Sequence, residues 1–328
     1  MMIRFIVQRA LFYLLAGWVA ITANFFIPRL MPGDPATVMF ARFKGKLDPE
    51  ALQAMKDGFG LSDAPLYAQY SEYVGALLQG DLGTSLVYFP VPVSSIMMEG
   101  LLWTTFLAGT SLIISFFGGT ILGAWLAWRR ESRMDTILPP LLSLLGAFPY
   151  FWMAMLFLSV FGFSLGWFPT RHAYGSGVEP SWTIAFALSA IQHAFLPALT
   201  MVIASIGGWM LSMRNVTVST LGTEFVYYAH IRGLSEQQVW WRYAVRNALI
   251  PNVTGFGMAL GFVLSGALLT EMVFGYPGQG YLLIQAVNGQ DFPLMQGIFL
   301  SITFAVLLAN FVVDIVSLWL DPRMVSSD

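Results

Sequence analysis

Six long apolar runs, nearly free of charge, dominate the hydrophobic pattern of this chain. They cover approximately residues 12–27 (extended backwards past Arg9), 103–128, 136–161, 191–213, 250–269 and 296–320. Lipid offers no water to backbone N–H and C=O groups, so an apolar run of about 20 residues satisfies its backbone there as a helix. The pattern predicts an all-α membrane protein with about six transmembrane helices. Two polar stretches break the series. The first, 28–102, is too long for a connector. Within it, Asp48-Pro49-Glu50 marks a helix start, and Leu52, Met55 and Phe59 repeat at three and four residues as an apolar face does. The second, 214–251, reads as helix, glycine turn, helix: Gly233 can end one helix in a left-handed conformation, and Ser235 can cap the next, with Gln237 and Gln238 in its first turn. The expected organisation is an N-terminal transmembrane helix (1–27), an extracytoplasmic subdomain (28–102) and a core of five helices (103–328).

Composition supports a lipid-facing chain. Hydrophobic residues make up 57% and charged residues 10%, against roughly 25% charged in soluble domains. A net charge of −2 supplies no basic field for nucleic acid. The chain has no cysteine and only His172, His193 and His230, far apart, so thiolate chemistry is excluded and a His-built metal site is not expected. The first apolar run ends at Pro28-Arg29 without a small-residue cleavage site and reads as a retained helix. Placing the N-terminus inside puts Arg4, Arg9, Arg129, Arg130, Arg133, Arg214, Arg232, Arg242, Arg246 and Arg323 on the cytoplasmic side, against Arg171 alone in the short outer loops. Both termini are then cytoplasmic.

Small residues at Gly119-x-x-x-Gly123 and Gly257-x-x-x-Gly261-x-x-x-Ser265 predict close helix contacts, within one subunit or between two. The chain has no G-x-x-x-x-G-K-[ST] phosphate loop, so any ATP hydrolysis lies on another chain. Asp314 is the one carboxylate inside a predicted span; it either pairs near the interface or lies on a solute path, as an ion-coupled transporter requires. Ser111 and His193 superficially resemble an intramembrane protease pair, but no oxyanion-hole element accompanies them. In the polar loop, Tyr227, Tyr228 and Ile231 beside Arg232 suit either a protein groove or lipid headgroups.

The segment from Glu224 to Pro251, ending in Arg246-Asn247-Ala248-Leu249-Ile250-Pro251, resembles the EAA loop of ABC importer permeases, in the dipeptide and oligopeptide family. Further family marks follow in order: Pro32-Gly33-Asp34-Pro35, Gly80-Asp81-Leu82-Gly83-Thr84-Ser85, Gly166-Trp167-Phe168-Pro169, Tyr276-Pro277-Gly278-Gln279-Gly280, Asp291-Phe292-Pro293 and Asp321-Pro322-Arg323. Arg171-His172 departs from the family, where glycines are common. The resemblance implies a type I importer permease of the bacterial inner membrane, without a cofactor of its own. It also implies a homologous second permease, two ATP-binding subunits carrying ATP and magnesium, and an extracytoplasmic solute-binding protein. It makes the loop a coupling element held by the ATPase, with Tyr227, Tyr228, Ala229, Arg232, Gly233, Leu234, Glu236 and Gln237 as its site residues, Gly233 as the turn, and Tyr228 and Leu234 as apolar anchors. Tyr276, Pro277, Gly278 and Gly280 are placed at an outer gate, and 28–102 serves as a docking platform or a scaffold. The solute expected from the resemblance is a di- or oligopeptide, with an oligosaccharide as the alternative; metal complexes also occur among the family's solutes.

Overall fold

The computed structural model describes residues 2–30 and 64–320. The helix start at Asp48 and the motifs beginning at Pro32 and Asp321 lie outside the described residues. In chain order the helices are α1 (Met2–Leu30), α2 (Leu66–Leu78), α3 (Val93–Trp128), α4 (Arg133–Ala147), α5 (Tyr150–Ser164), α6 (Ile184–Leu221), α7 (Glu224–Ile231), α8 (Glu236–Val239), α9 (Arg246–Gly266), α10 (Leu268–Phe274), α11 (Gln279–Asn288) and α12 (Phe292–Leu320). Among the described residues, α1, α3, α6 and α12 each hold a stretch long and apolar enough to cross a bilayer, and α4 with α5 makes a fifth when taken as one span. The predicted run 250–269 is the 21-residue α9 followed by α10.

Two helices outrun their predicted lengths, α3 at 36 residues and α6 at 38. Hydropathy finds only the lipid-matched part, whereas a helix continues until a cap stops it. Thr183 supplies that cap for α6, its hydroxyl accepting from Phe186 N at 3.3 Å. The expectation of a single helix over 136–161 is corrected: α4 and α5 meet at 93°. Phe148 precedes Pro149, whose ring disfavours the helical conformation there, and Phe148 is extended at ψ 137°. Each limb is about 22 Å long, short of the roughly 30 Å hydrocarbon thickness.

The described residues fall into two compact units, Met1–Thr104 with Pro277–Asp328, and Thr105–Tyr276. In the first, α1 lies along α12. Asn24 Nδ2 donates to Gln296 O at 3.0 Å, and Gln296 Nε2 returns a bond to Asn24 O at 3.1 Å. Asp314, left open between two roles by the sequence, is paired: Arg9 Nη1 lies 3.1 Å from its Oδ2, and Tyr13 donates to the same oxygen at 2.8 Å. Helix α2 packs on α1 through Tyr70 and Tyr73, whose rings lie 5.2 and 5.6 Å from that of Phe25.

The second unit is built on the part of α3 from Thr105 onward against α6. A Cβ at Gly119 would sit 2.7 Å from Ile206 O, and one at Gly123 would sit 2.3 Å from Met210 O, so this glycine pair lets two backbones touch within one subunit. Gly207 does the same for α6 and α4, with Leu142 O at 2.8 Å. Phe116 of α3 joins α6 and α9 through Trp209 and Phe256, at 5.3 and 4.4 Å between ring centroids. Ser111 donates to Leu107 O at 2.7 Å, and His193 Nδ1 shares a 2.7 Å bond with Ser189 O, so each is engaged with its own helix.

Candidate coupling site

Between α6 and α9 the polar loop folds into a compact hairpin of α7 and α8. Helix α7 ends because Gly233 adopts φ 77°, which a residue with a Cβ rarely adopts. Gly233 N then donates to His230 O at 2.9 Å and Leu234 N to Ala229 O at 3.3 Å, closing the helix end with the paired bonds of a Schellman turn. Helix α8 starts with a capping box: Ser235 Oγ accepts from Gln238 N at 3.4 Å, and Gln238 Oε1 accepts from Ser235 N at 3.3 Å. Turn and cap are local chemistry, and both were readable from residue type.

The hairpin has its own core. Val226, Ala229 and Val239 are buried together, with Leu221, Leu234 and Tyr243 packed against them. A second cluster, Ala124, Met213, Val245 and Ala248, with Val216, Trp240 and Leu249 around it, joins the hairpin's exit to α3 and α6. Of the sequence-predicted residues, Ala229 and Leu234 therefore turn inward and hold the hairpin closed. Tyr227, Tyr228, Arg232, Gly233, Glu236 and Gln237 stay exposed around the turn. Ile231 is 64% and Tyr228 59% exposed, an apolar area that the described residues leave uncovered. Sequence reasoning passed over Phe225, 44% exposed, although its spacing of three from Tyr228 places it near the same face.

The residues assigned to an outer gate divide between the two units. Tyr276 is fully buried; Gly275 before it closes α10 at φ 53°, with Tyr276 N donating to Glu271 O at 2.8 Å. Glu271, two residues beyond the predicted fifth span, is also buried, a carboxylate that span-counting did not register. In the other unit Pro277 is half-buried, Gly278 and Gly280 are buried, and Gln279 between them is a hub. Its backbone N donates to Thr104 Oγ1 at 2.8 Å, and its Oε1 accepts from Ser301 Oγ at 3.2 Å. Two further motifs meet in that unit. Asp291 accepts from Ser85 Oγ, from Val87 N at 2.9 Å and from Leu294 N at 3.1 Å, so Gly80–Ser85 and Asp291–Pro293 are one clasp. Burial, with Tyr281 and the Asp291 carboxylate nearby, pushes the Tyr88 phenol above its usual range. Replacing Asp291 by Ala strands three buried or half-buried donors at roughly 1 kcal/mol or more each. A thermal-unfolding midpoint lowered by several degrees is the expected result, and an unchanged midpoint would show that the clasp contributes nothing.

Residues 119–326 match the family described as binding-protein-dependent transport system inner membrane component, and residues 2–108 match the N-terminal region of such membrane components. The oligopeptide transport system permease protein AppB of Bacillus subtilis (strain 168) is 31% identical over 306 residues, 92% of each chain. The di/tripeptide transport system permease protein DppB of Pseudomonas aeruginosa is 34% identical over 324 residues, again 92% of each chain. The glutathione transport system permease protein GsiC of Salmonella typhimurium is 32% identical over 325 residues, 98% of this chain and 99% of the relative. Matched along nearly all its length, the chain belongs to the inner-membrane components of binding-protein-dependent transport systems, the permease subunits of ABC importers with the type I fold.

Proposed function

We propose that this chain is one of two homologous permease subunits of an ABC importer for di- and oligopeptides. The exposed hairpin of α7 and α8 is its coupling element. The carrying observation is that the hairpin is locked internally by Gly233, Ser235 and its own core while Tyr228, Ile231 and Arg232 face outward. Such a rigid element with an uncovered apolar face suits a protein cleft better than a mobile loop does. ATP and magnesium bind two separate ATPase subunits, whose closure moves the hairpin. A solute-binding protein delivers peptide on the outer side, where residues 28–102 form its docking platform and Tyr276 to Gly280 lie near the gate. The hairpin and both termini are cytoplasmic. The names of the three relatives favour peptides over oligosaccharides.

A gentle detergent pull-down of the chain expressed from its native operon, followed by an ATPase assay, tests the assembly. Recovery of a second permease and a vanadate-sensitive ATPase is expected, and a homo-oligomer without ATPase activity would overturn the reading. The Arg9–Asp314 pair separates this mechanism from ion coupling. Because Asp314 is tied to α1, Asp314→Asn should leave uptake within about twofold of the native rate, as a partly exposed pair contributes little. Loss of uptake in that variant, with sensitivity to an ionophore, would place Asp314 on a proton path instead.

A further inference from the structure

The polar loop is fastened at each end by buried or partly buried polar contacts to neighbouring helices. At its start, Arg214 near the end of α6 forms a two-pronged pair with Asp135 in the first turn of α4: Nη2 lies 2.7 Å from Oδ2, and Nε donates to Oδ1. Asp135 is held in turn, since its Oδ2 also accepts from Glu131 N at 3.1 Å and its backbone N donates to Ser132 Oγ at 3.2 Å. At the loop's end, immediately after Pro251, Asn252 is 1% exposed and reaches two helices. Its Nδ2 donates to Thr120 Oγ1 of α3 at 3.2 Å and lies 3.5 Å from Trp209 O of α6, while its Oδ1 accepts from Ser212 Oγ of α6 at 2.5 Å.

Close packing at Gly119, Gly123 and Gly207 already holds these helices together. An apolar seam keeps most of its contact energy when it slides by a fraction of an ångström. Directional bonds at three helices do not, because each weakens steeply off its angle. The polar contacts therefore fix register rather than mere association.

Building on the reading of the hairpin as coupling element, we propose that Asp135 and Asn252 are positioning residues for coupling. With Arg214, Ser212 and Thr120 they lock both ends of the loop to α3, α4, α6 and α9. A push on the hairpin then moves these four helices as one body instead of being absorbed at the loop's ends.

The test uses the complete importer purified with its ATP-binding subunits. The chain has no cysteine, so Glu224→Cys on α7 and Leu188→Cys on α6 give one defined spin-label pair on it. With the locks intact, the interspin distance is expected to stay fixed on adding ATP, magnesium and vanadate. In Asp135→Asn and in Asn252→Leu the hairpin should move alone, shifting the distance by about 2 Å or more. The exchanged pair Asp135→Arg with Arg214→Asp should restore the fixed distance, which a loss of general stability does not explain. A nucleotide-dependent shift in the unaltered locks, a fixed distance in both single variants, or failure of both to assemble would each overturn the proposal. Gly233→Arg, which leaves both locks in place, isolates the underlying reading. Transport surviving that change overturns the coupling role itself, whatever the spin labels report.

Discussion

Arginine at position 233 should abolish transport, whereas alanine there should leave most of it. Both substitutions put a Cβ on a residue held at φ 77°, and both incur the same backbone strain of about 1–2 kcal/mol. At the Cβ neither meets an obstacle among the described residues, since none of them lies within 4 Å of a Cβ built at Gly233. The two variants therefore fold and insert alike and differ only in what projects from the turn. If the turn enters a cleft of the ATPase, a guanidinium and its stem have to be accommodated in an interface shaped for no side chain. Losses of about 2–4 kcal/mol at such central positions correspond to roughly 30-fold to 1,000-fold weaker engagement. Uptake by cells producing each variant, normalised to the chain found in the membrane fraction, reads the difference. ATPase activity of the purified complex shows whether hydrolysis continues without transport. Normal transport by the arginine variant would remove the hairpin from the mechanism, and equal loss in both variants would trace the defect to backbone strain.

What the sequence made legible follows from the range of each interaction. The turn at Gly233 and the cap at Ser235 depend on residues within five positions of one another, so residue type alone located them. The apolar runs were legible because a lipid environment imposes a length requirement that few other folds impose. The 93° bend between α4 and α5 had a local signal in Pro149, but the uninterrupted apolar composition around it concealed the break. Contacts that depend on helix register were not legible. Arg214 read as one more inside-facing charge, and nothing in the sequence pointed to Asp135 as its partner until α4 and α6 brought them together. No local signal marks Asn252, because its partners Thr120 and Ser212 lie 132 and 40 positions away. Leu234, which the resemblance makes an anchor for a partner, is partly buried and also packs against the hairpin's own core.

The same contrast between local and register-dependent features sets the second large effect, at the seam of α3 and α6. Gly123→Ala should destabilise the chain by about 2–3 kcal/mol, and Gly123→Leu by more, because over-packing here cannot be relieved by a side-chain rotation. The added carbon would lie 2.3 Å from Met210 O, 3.0 Å from Met213 Cβ and 3.1 Å from Arg214 N, two of which are backbone atoms. Relief requires the helices to part by about 1 Å, and a gap of that size forfeits a quarter to a half of the dispersion energy along the contact. Parting also draws Thr120, one turn back on α3, away from Asn252, so the loop's far anchor weakens with the seam. Gly208 on α6 provides the control, since no atom of the described residues lies within 4 Å of a Cβ built there. Gly208→Ala should leave stability unchanged or raise it by up to about 1 kcal/mol, the ordinary helix preference of alanine over glycine. The comparison is made on the isolated chain in detergent, by the temperature at which its monodisperse peak is lost on size-exclusion chromatography. A Gly123→Ala midpoint several degrees below that of Gly208→Ala fits a backbone-to-backbone seam. Coincident midpoints would mean that α3 and α6 separate without loss, and with them the argument that the glycines, rather than the polar locks, bear the association of these helices.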